Sequence, residues 1–402
     1  MRVIALNTGS SSIKFAWYEI GKTERLVFSG SMTRIGNRNC RFSVTDDKGN
    51  PLANESVAVQ NHNAACDYVF FWIQSQNEGI RPDAVGHRIV HGGPIYSSPQ
   101  IVTPELLASL DTLSPYAPEH LPQAIKAIRH IAGLFPETVQ VTCFDTSFHS
   151  TMPAVAKLYA LPEAIRKEGV QRYGFHGLSY EYILLELIRQ QGVHAVEKRI
   201  ILAHLGHGAS MASVKNGKSI ETTMGFSPAG GLVMSTRTGD LDPGVILFLL
   251  QQNKMTPEAI KEMVNRQSGL LGVSGSTDDM RELLDAEEVD NAAKQAVELF
   301  CYQARKNIGA LSVVLGGLDT LIFTGGIGEH SPEIRSRICS GLEFLGIRID
   351  EEKNSNHSSV ISQESGQVEI RIMNTNEELM IARHTMKILK KLTPPTEMKS
   401  NK

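Results

Sequence analysis

Val3-Ile4-Ala5-Leu6, then Asn7-Thr8-Gly9-Ser10-Ser11-Ser12, then Ile13-Lys14-Phe15-Ala16 opens the chain. An apolar run, a turn of small and hydroxylated residues, and a second apolar-rich run read as two strands around a turn, because serine and glycine supply turn chemistry. A related pattern returns about 200 residues later. Ile200-Ile201-Leu202-Ala203-His204-Leu205 leads into Gly206-His207-Gly208-Ala209-Ser210, and Met211-Ala212-Ser213-Val214 leads out. The order repeats although the letters do not, which points to a duplicated architecture. Further on, apolar residues three or four apart predict a helix over 290–311. Thr320-Leu321-Ile322-Phe323-Thr324 reads as a buried strand, followed by a glycine turn at 325–328 and a helix from about Ser331, where Pro332 suits the first turn. The segment 377–392 again reads as helix, and the polar last ten residues as a frayed end. Strands alternating with helices imply an α/β protein.

The 402 residues suit two domains rather than one core. With 41% hydrophobic and 21% charged residues the composition is globular, and no apolar run approaches the ~20 residues that span a bilayer. The N-terminus lacks the pattern of a signal peptide. A net charge of −3 argues against a nucleic-acid binder. Five scattered cysteines without a CxxC or Cys/His cluster indicate neither a disulfide framework nor a zinc site, so a reducing, cytoplasmic setting is expected.

Several segments carry chemistry. The first turn can wrap a phosphate with backbone N–H groups and hydroxyls, or be an ordinary serine-rich hairpin. Ala212-Ser213-Val214-Lys215-Asn216-Gly217-Lys218-Ser219 ends like a phosphate-binding Gly-Lys-Ser loop, but Ala212 stands where the first glycine belongs, and Asn216-Gly217 between apolar runs reads as a tight hairpin turn. Gly86-His87-Arg88-Ile89-Val90-His91-Gly92-Gly93 and Ser235-Thr236-Arg237-Thr238-Gly239-Asp240 each set an arginine among glycines. Guanidinium forks suit carboxylate and phosphoryl oxygens, though either arginine alone also serves as an ion-pair partner. Asp145 falls at the C-terminal end of the strand over 139–143, where α/β proteins gather ligands. His176, in Tyr173-Gly174-Phe175-His176-Gly177, suits donation to a transferring phosphoryl group, or packing against backbone. Gly325-Gly326-Ile327-Gly328 lets a flat nucleoside approach the backbone.

In order, N-T-G-S-S-S-I-K-F (7–15), G-H-R-I-V-H-G-G (86–93), F-D-T-S-F-H (144–149), R-Y-G-F-H-G (172–177), T-R-T-G-D-L-D-P-G (236–244), S-G-L-L-G-V-S-G (268–275), T-G-G-I-G-E (324–329) and T-N-E-E-L-M-I-A (375–382) resemble the acetate kinase family of the actin-like superfamily, from Val3 to about Arg383. The resemblance implies an α/β fold of two ribonuclease-H-like domains related by duplication, with the active site in the cleft they form. The first domain would be 1–147 plus the returning 380–402, and the second 148–379. It implies ATP as co-substrate with Mg²⁺ (or Mn²⁺), acetate or another short-chain carboxylate as acceptor, acetyl phosphate and ADP as products, and a homodimer. Asn7, Asp145 and Glu377 match the metal-associated residues. Ser10, Ser12 and Lys14 match the first phosphate hairpin, and His204, Leu205, Gly206, His207 and Gly208 the second. Arg88 and Arg237 match the pair that binds carboxylate and phosphoryl, with His176 a phosphoryl donor. His120, Val90, Phe175 and Pro228 match the acid-binding pocket. Asp279, Met280 and Arg281 with Gly326, Ile327 and Gly328 match the nucleoside site.

This chain departs from the family pattern at four places. His207 replaces asparagine in the second hairpin. Ala117-Pro118-Glu119-His120-Leu121-Pro122 stands for the usual A-P-L-H-N-P, so Glu119 replaces a leucine of the methyl pocket. Gly230 replaces glutamate, and His330 replaces asparagine. Glu119 either turns to solvent or an ion pair, or marks a polar acid substrate. The sequence therefore supports an acetate kinase using acetate ahead of propionate, with two alternatives: a kinase for a different small acid, or a non-catalytic ATP-binding regulator or ATPase.

Overall fold

The computed structural model of the chain describes residues 1–9, 11–76 and 81–392. The expectations for Ser10 and for the residues after Leu392 lie outside the described residues. The chain divides into two compact units, one of Met1–Ser147 with the segment from Asn376 onward, the other of Phe148–Thr375. Glu377 thereby belongs to the first.

The first unit is built on one mixed sheet: β1 (Arg2–Thr8), β2 (Ser12–Ile20), β3 (Glu24–Thr33), β4 (Arg41–Asp46), β5 (Pro51–Ser56), β6 (Ala84–Ile89), β7 (Gln100–Ile101) and β8 (Val139–Phe144), in the order 5-4-3-2-1-6-8-7. Val3, Ile4, Ala5 and Leu6 form an unbroken buried run because helices cover both faces of β1. Ile4 and Leu6 join the core under the helices His62–Gln76 and Leu121–Leu134. The helix Glu377–Leu392 packs on β1, β2, β6 and β8. Gly86 on β6 is required by that contact: a Cβ there would lie 2.2 Å from Thr385 Oγ1 and 2.6 Å from Ile381 Cγ2.

The second unit carries β9 (Arg199–Leu205), β10 (Ala209–Lys215), β11 (Lys218–Thr222), β12 (Thr320–Thr324) and β13 (Glu369–Ile372), in the order 11-10-9-12-13. The helix Gly177–Gln191 buries Tyr180, Ile183, Leu184 and Leu187 with Ile200, Leu202, Val214 and Ile322 of the sheet. The long helix Asn291–Leu315 contacts β9, β10 and β11, four residues beyond the stretch the apolar periodicity marks.

Both sheets share one connectivity. In each, the first strand pairs antiparallel with the second and the second with the third, while the first pairs parallel with a later strand and that with another. The duplication expected from the two strand-turn-strand segments is therefore a repeat of a five-strand 3-2-1-4-5 core. Asn216 and Gly217, at φ +53° and +68°, make the tight turn from β10 to β11. One detail differs from the sequence reading: Gly325 to Gly328 do not remain a turn. Gly325, at φ +79°, makes the bend alone, and a helix spans Gly325–His330. Glu329 closes it by folding back to accept from the Gly325 N–H at 2.8 Å.

Candidate active site

In the first unit, β1, β6 and β8 are parallel neighbours, so their C-terminal ends lie at one edge of the sheet. Strand alternation sends Asn7 and Arg88 to the face covered by the helix Glu377–Leu392, and Asp145 follows directly on β8. There they meet. Arg88 Nε donates to Asp145 Oδ1 and Oδ2 at 3.1 and 3.0 Å, and Nη2 to Oδ2 at 2.5 Å. Nη1 donates to Asn7 Oδ1 at 3.2 Å and lies 3.3 Å from Glu377 Oε2, which also accepts from Asn7 Nδ2 at 3.2 Å. The Asp145 side chain is fully buried, while that of Arg88 keeps 18% of its surface. Burial alone would lower the Arg88 pKa, but Asp145 and Glu377 more than offset it and hold the guanidinium above its usual value. Burial, then the charge of Glu377, raises Glu378. Of the five N–H groups of Arg88, these contacts leave one, on Nη2, for an incoming acceptor.

An amide oxygen and two carboxylates form a hard, all-oxygen donor set that suits Mg²⁺ or Mn²⁺. Among the described residues no cluster of three or more His, Cys, Asp or Glu side chains is placed to hold an ion alone. The set thus fits a cation completing its shell with water and phosphate oxygens, as Mg²⁺ does. Beside it, Gly9 N–H donates to Ser12 O at 2.8 Å to close the first hairpin, and His62 Nε2 lies 2.9 Å from Gly9 O. Lys14, exposed, stands opposite Asn7 in the β1–β2 register. Val90 packs with the cluster under Tyr96 and Tyr116. His120 precedes the helix Leu121–Leu134, with Glu119 half-buried beside it and Leu121 fully buried.

In the second unit His176 takes φ +59° at the start of the helix Gly177–Gln191. Its Nδ1 lies 2.8 Å from Ser210 Oγ, which also bonds the Tyr180 hydroxyl, and its ring stacks on His204 at 4.3 Å. This braces Nε2 toward Gly208, whose missing Cβ would lie 3.2 Å from it and 3.6 Å from Arg237 Nη1. A side chain there would crowd the imidazole and stand in the approach of both groups to that point. Arg237 Nη1 donates to Pro228 O at 3.3 Å. The arginine's loop is pinned from behind: Leu270 N–H donates to Met234 O, and Ser268 N–H to Thr236 O. Gly269, at φ +64°, permits this, since a Cβ would fall 2.1 Å from Met234 O. Phe175 is buried, and its carbonyl accepts at 3.0 Å from His149, which burial holds neutral with a pKa lowered to about 4.

The parallel strands β9 and β12 end side by side, one at the turn of Gly206 and the other at the helix Gly325–His330, with Gly206 against Gly326. A cavity of about 670 Å³ opens there, walled by Gly206, His207, Met280, Arg281, Gly326 and Ile327, with Asp279 and His330 at its edge. That volume suits a nucleoside. His204, Leu205, Gly208 and Gly328 are not in its walls: Leu205 and Gly328 are buried in the sheet and helix, and Gly208 belongs to the His176 site. His207 is exposed, its Nε2 3.3 Å from Asp278 Oδ2. Gly230 has room for a side chain, its would-be Cβ 3.4 Å from Asp240 Oδ1.

A model of the acetokinase family matches residues 2–383. The chain belongs to the acetokinase family. It is 43% identical over 392 residues to an acetate kinase of Rhodopseudomonas palustris (strain TIE-1), covering 96% of this chain and 98% of that one. Among solved structures it is similar to Porphyromonas gingivalis acetate kinase (37% identity, TM-score 0.86, 96% and 99% covered). It is also similar to a propionate kinase from Francisella tularensis (35% identity, TM-score 0.89, 95% and 98% covered).

Several residues of this acetokinase escaped the sequence reading. Ser210 and Tyr180 brace His176, and His149 braces Phe175, all across long stretches of chain. Arg335 is completely buried: Nη1 donates to Gly328 O and Glu329 O at 2.9 and 3.0 Å, and Nε to Asn354 Oδ1 at 2.8 Å. It fixes the C-terminal end of the helix Gly325–His330, which edges the cavity. A cationic residue inside a C-terminal helix gave no signal of this, because its partners are carbonyls.

Proposed function

We propose that the protein transfers the γ-phosphoryl group of ATP to acetate, reversibly and in line, giving acetyl phosphate and ADP. The Arg88 cluster carries the proposal: a guanidinium anchored by Asp145, Asn7 and Glu377 keeps one N–H for an anion. Acetate is ionised at neutral pH, so its oxygen needs no general base to attack phosphorus. Arg88 and Arg237 as a pair bind the carboxylate and the transferring phosphoryl, and the Nε2 side of His176 donates to the phosphoryl oxygens on which charge gathers. Val90, His120, Phe175 and Pro228 would enclose the acid. Asn7, Asp145 and Glu377 would hold Mg²⁺ or Mn²⁺, which neutralises phosphate charge when bound. Ser12, Lys14 and the turn at Gly206–Gly208 would cradle the phosphates, and Asp279, Met280, Arg281, Gly326 and Ile327 the nucleoside.

Other finer readings belong to the same proposal. The helix Pro243–Gln251, which follows the Arg237 loop, has no buried residue yet exposes Leu247 and Phe248 by more than half, which supports a homodimer through that face. All five cysteines are free and buried, which supports a reducing, cytoplasmic setting. Among the described residues no helix is long and apolar enough to cross a membrane.

A second reading rests on Glu119, half-buried where the family has leucine: the acid would then carry a polar group. Purified protein with ATP, Mg²⁺ and hydroxylamine, which traps acyl phosphate as hydroxamate, separates these readings. Acetate, propionate, butyrate, glycolate and succinate are run in parallel, with a no-acid control. Acetate is expected to give the strongest signal. Signal with glycolate or succinate alone would transfer the proposal to a polar acid, and silence with nucleotide still bound would overturn it. Glu119→Leu is expected to lower KM for acetate about tenfold if Glu119 lines the pocket, the order of one mismatched apolar contact; an unchanged KM turns Glu119 to solvent.

A further inference from the structure

The second unit holds another cavity, of about 640 Å³, whose walls include Glu287, Lys294, Cys301, Tyr302, Arg305 and Arg337. None of these residues has a part in the reaction proposed above. Two of its walls are nonetheless continuous with the nucleoside cavity. The helix Met280–Ala286, which presents Met280 and Arg281 to that cavity, runs directly into Glu287. The helix Pro332–Cys339 begins at the nucleoside cavity with Pro332 and Glu333 and carries Arg337 into the second one. Arg337 clamps the two together. Its Nη1 and Nη2 donate to Glu287 Oε2 and Oε1 at 2.7 and 2.5 Å, and its Nε to Glu333 Oε1 at 2.6 Å.

The charges in this cavity are unevenly matched. Glu287 is engaged by Arg337, Glu298 sits 3.9 Å from Lys294, and Glu288 faces solvent. Arg305 has no carboxylate partner among the described residues. Its Nη2 donates to the Arg337 carbonyl at 2.6 Å, and its Nε is buried without a hydrogen-bond partner. A guanidinium on a cavity wall whose Nη1 makes no hydrogen bond among the described residues, with a lysine about three turns away on the same face of the same helix, has the chemistry of an oxyanion receptor. Cys301 and Tyr302 supply an apolar side to the same space.

We propose that this cavity binds a small oxyanion, a carboxylate or a phosphate, on Arg305, and that its occupancy lowers nucleotide affinity by competing with Glu287 for Arg337. The anion enters beside Arg337, loosens its hold on Glu287, and frees the two helices that wall the nucleoside site to part. Linkage makes the effect reciprocal: nucleotide lowers anion affinity by the same factor.

The test is calorimetric titration of the full chain with succinate and, separately, with inorganic phosphate, each with and without saturating ADP. At least one anion is expected to bind saturably to the ADP-loaded protein, and its identity tells a carboxylate site from a phosphate site. The same anion should weaken ADP binding about fivefold or more, the lower end of usual allosteric coupling. Arg305→Leu should abolish both effects and leave turnover without anion unchanged. Arg305→Lys, which keeps the charge and protects against loss of fold, should weaken anion binding without abolishing it; melting curves of both variants exclude unfolding. An anion acting at the reaction site would act equally on Arg305→Leu, so binding that persists undiminished in Arg305→Leu overturns the proposal. No saturable binding of either anion overturns it too, and binding with unchanged ADP affinity overturns the coupling.

Discussion

Replacing Arg88 with alanine removes three contacts to Asp145 at 2.5–3.1 Å together with those to Asn7 and Glu377. Asp145 is completely buried, so the variant strands a carboxylate without its guanidinium. Breaking a buried pair in this way costs about 3–5 kcal/mol of stability. The catalytic loss is separate. One arginine on a transferring phosphoryl group contributes about 10³-fold or more, or about 4 kcal/mol at 1.4 kcal/mol per tenfold. Hydroxamate formation should therefore fall about a thousandfold in kcat/KM for acetate, and urea unfolding should report the stability loss independently. ADP affinity, which the proposal assigns to groups of the second unit, should stay within about threefold, on the usual additivity of independent sites. Arg88→Lys keeps the charge but not the fork; it should recover part of the stability and less than about a tenth of the rate. If Arg88→Ala kept more than a tenth of wild-type activity, or if Arg88→Lys matched wild type, the assignment of Arg88 to the transferring group would be wrong. If ADP affinity fell by the same factor as activity, the loss would be one of folding.

Ser210→Ala removes the hydroxyl that orients His176 and bonds Tyr180; kcat should drop about tenfold, the scale of one hydrogen bond of about 1.5 kcal/mol, with KM for ATP unchanged, and an unaltered kcat would count against His176 as a phosphoryl donor. Gly86→Ala drives a methyl into Thr385 and Ile381 and should cost about 3 kcal/mol and roughly 6–12 °C of melting temperature. Gly133→Ala, on a helix with nothing near its would-be Cβ, should be neutral or stabilising by about 1 kcal/mol; equal shifts for the two would refute the packing account. His149 is buried neutral, its pKa lowered by that burial from 6.5 to about 4, so the unfolded chain binds the extra proton and stability is complete above pH 6.5 and declines as pH falls toward 4. The decline from this one residue at pH 5 is about 2 kcal/mol, and chemical unfolding of His149→Gln should show a shallower fall with acid than wild type.

What the sequence made legible follows from range. The apolar runs of β1 and β12 and the amphipathic helix Glu377–Leu392 are written in consecutive letters, and a continuous buried strand cannot hide its composition. Asp145 was legible because it closes a strand, where an α/β sheet exposes functional groups; Arg88 stood out among glycines, and Asn7 through the family resemblance. The supports behind them were not. Ser210 reaches His176 and Arg335 reaches Gly328 O only once distant segments have packed, and no local periodicity marks a serine or an arginine for that duty. The shared 3-2-1-4-5 order was equally invisible, because parallel pairing joins strands dozens of residues apart. Gly325 shows the limit within a motif: its letters announce a bend, but the helix that starts there depends on a carboxylate four residues on.

The return of the chain to the first unit at Asn376 has a consequence for biosynthesis. Val3, Ala5, Gly86 and Val141 lie on the sheet face that the helix Glu377–Leu392 covers, yet more than two hundred residues of the second unit are translated before that helix exists. At about 5–20 residues per second a ribosome needs roughly 10–45 s for that stretch. Throughout that interval the nascent sheet shows one apolar face to solvent, while the second unit, whose residues are contiguous, can fold on emerging. The first third of the coding sequence thus encodes a domain that is finished last, and nascent-chain chaperones should find their main client in the strands made first.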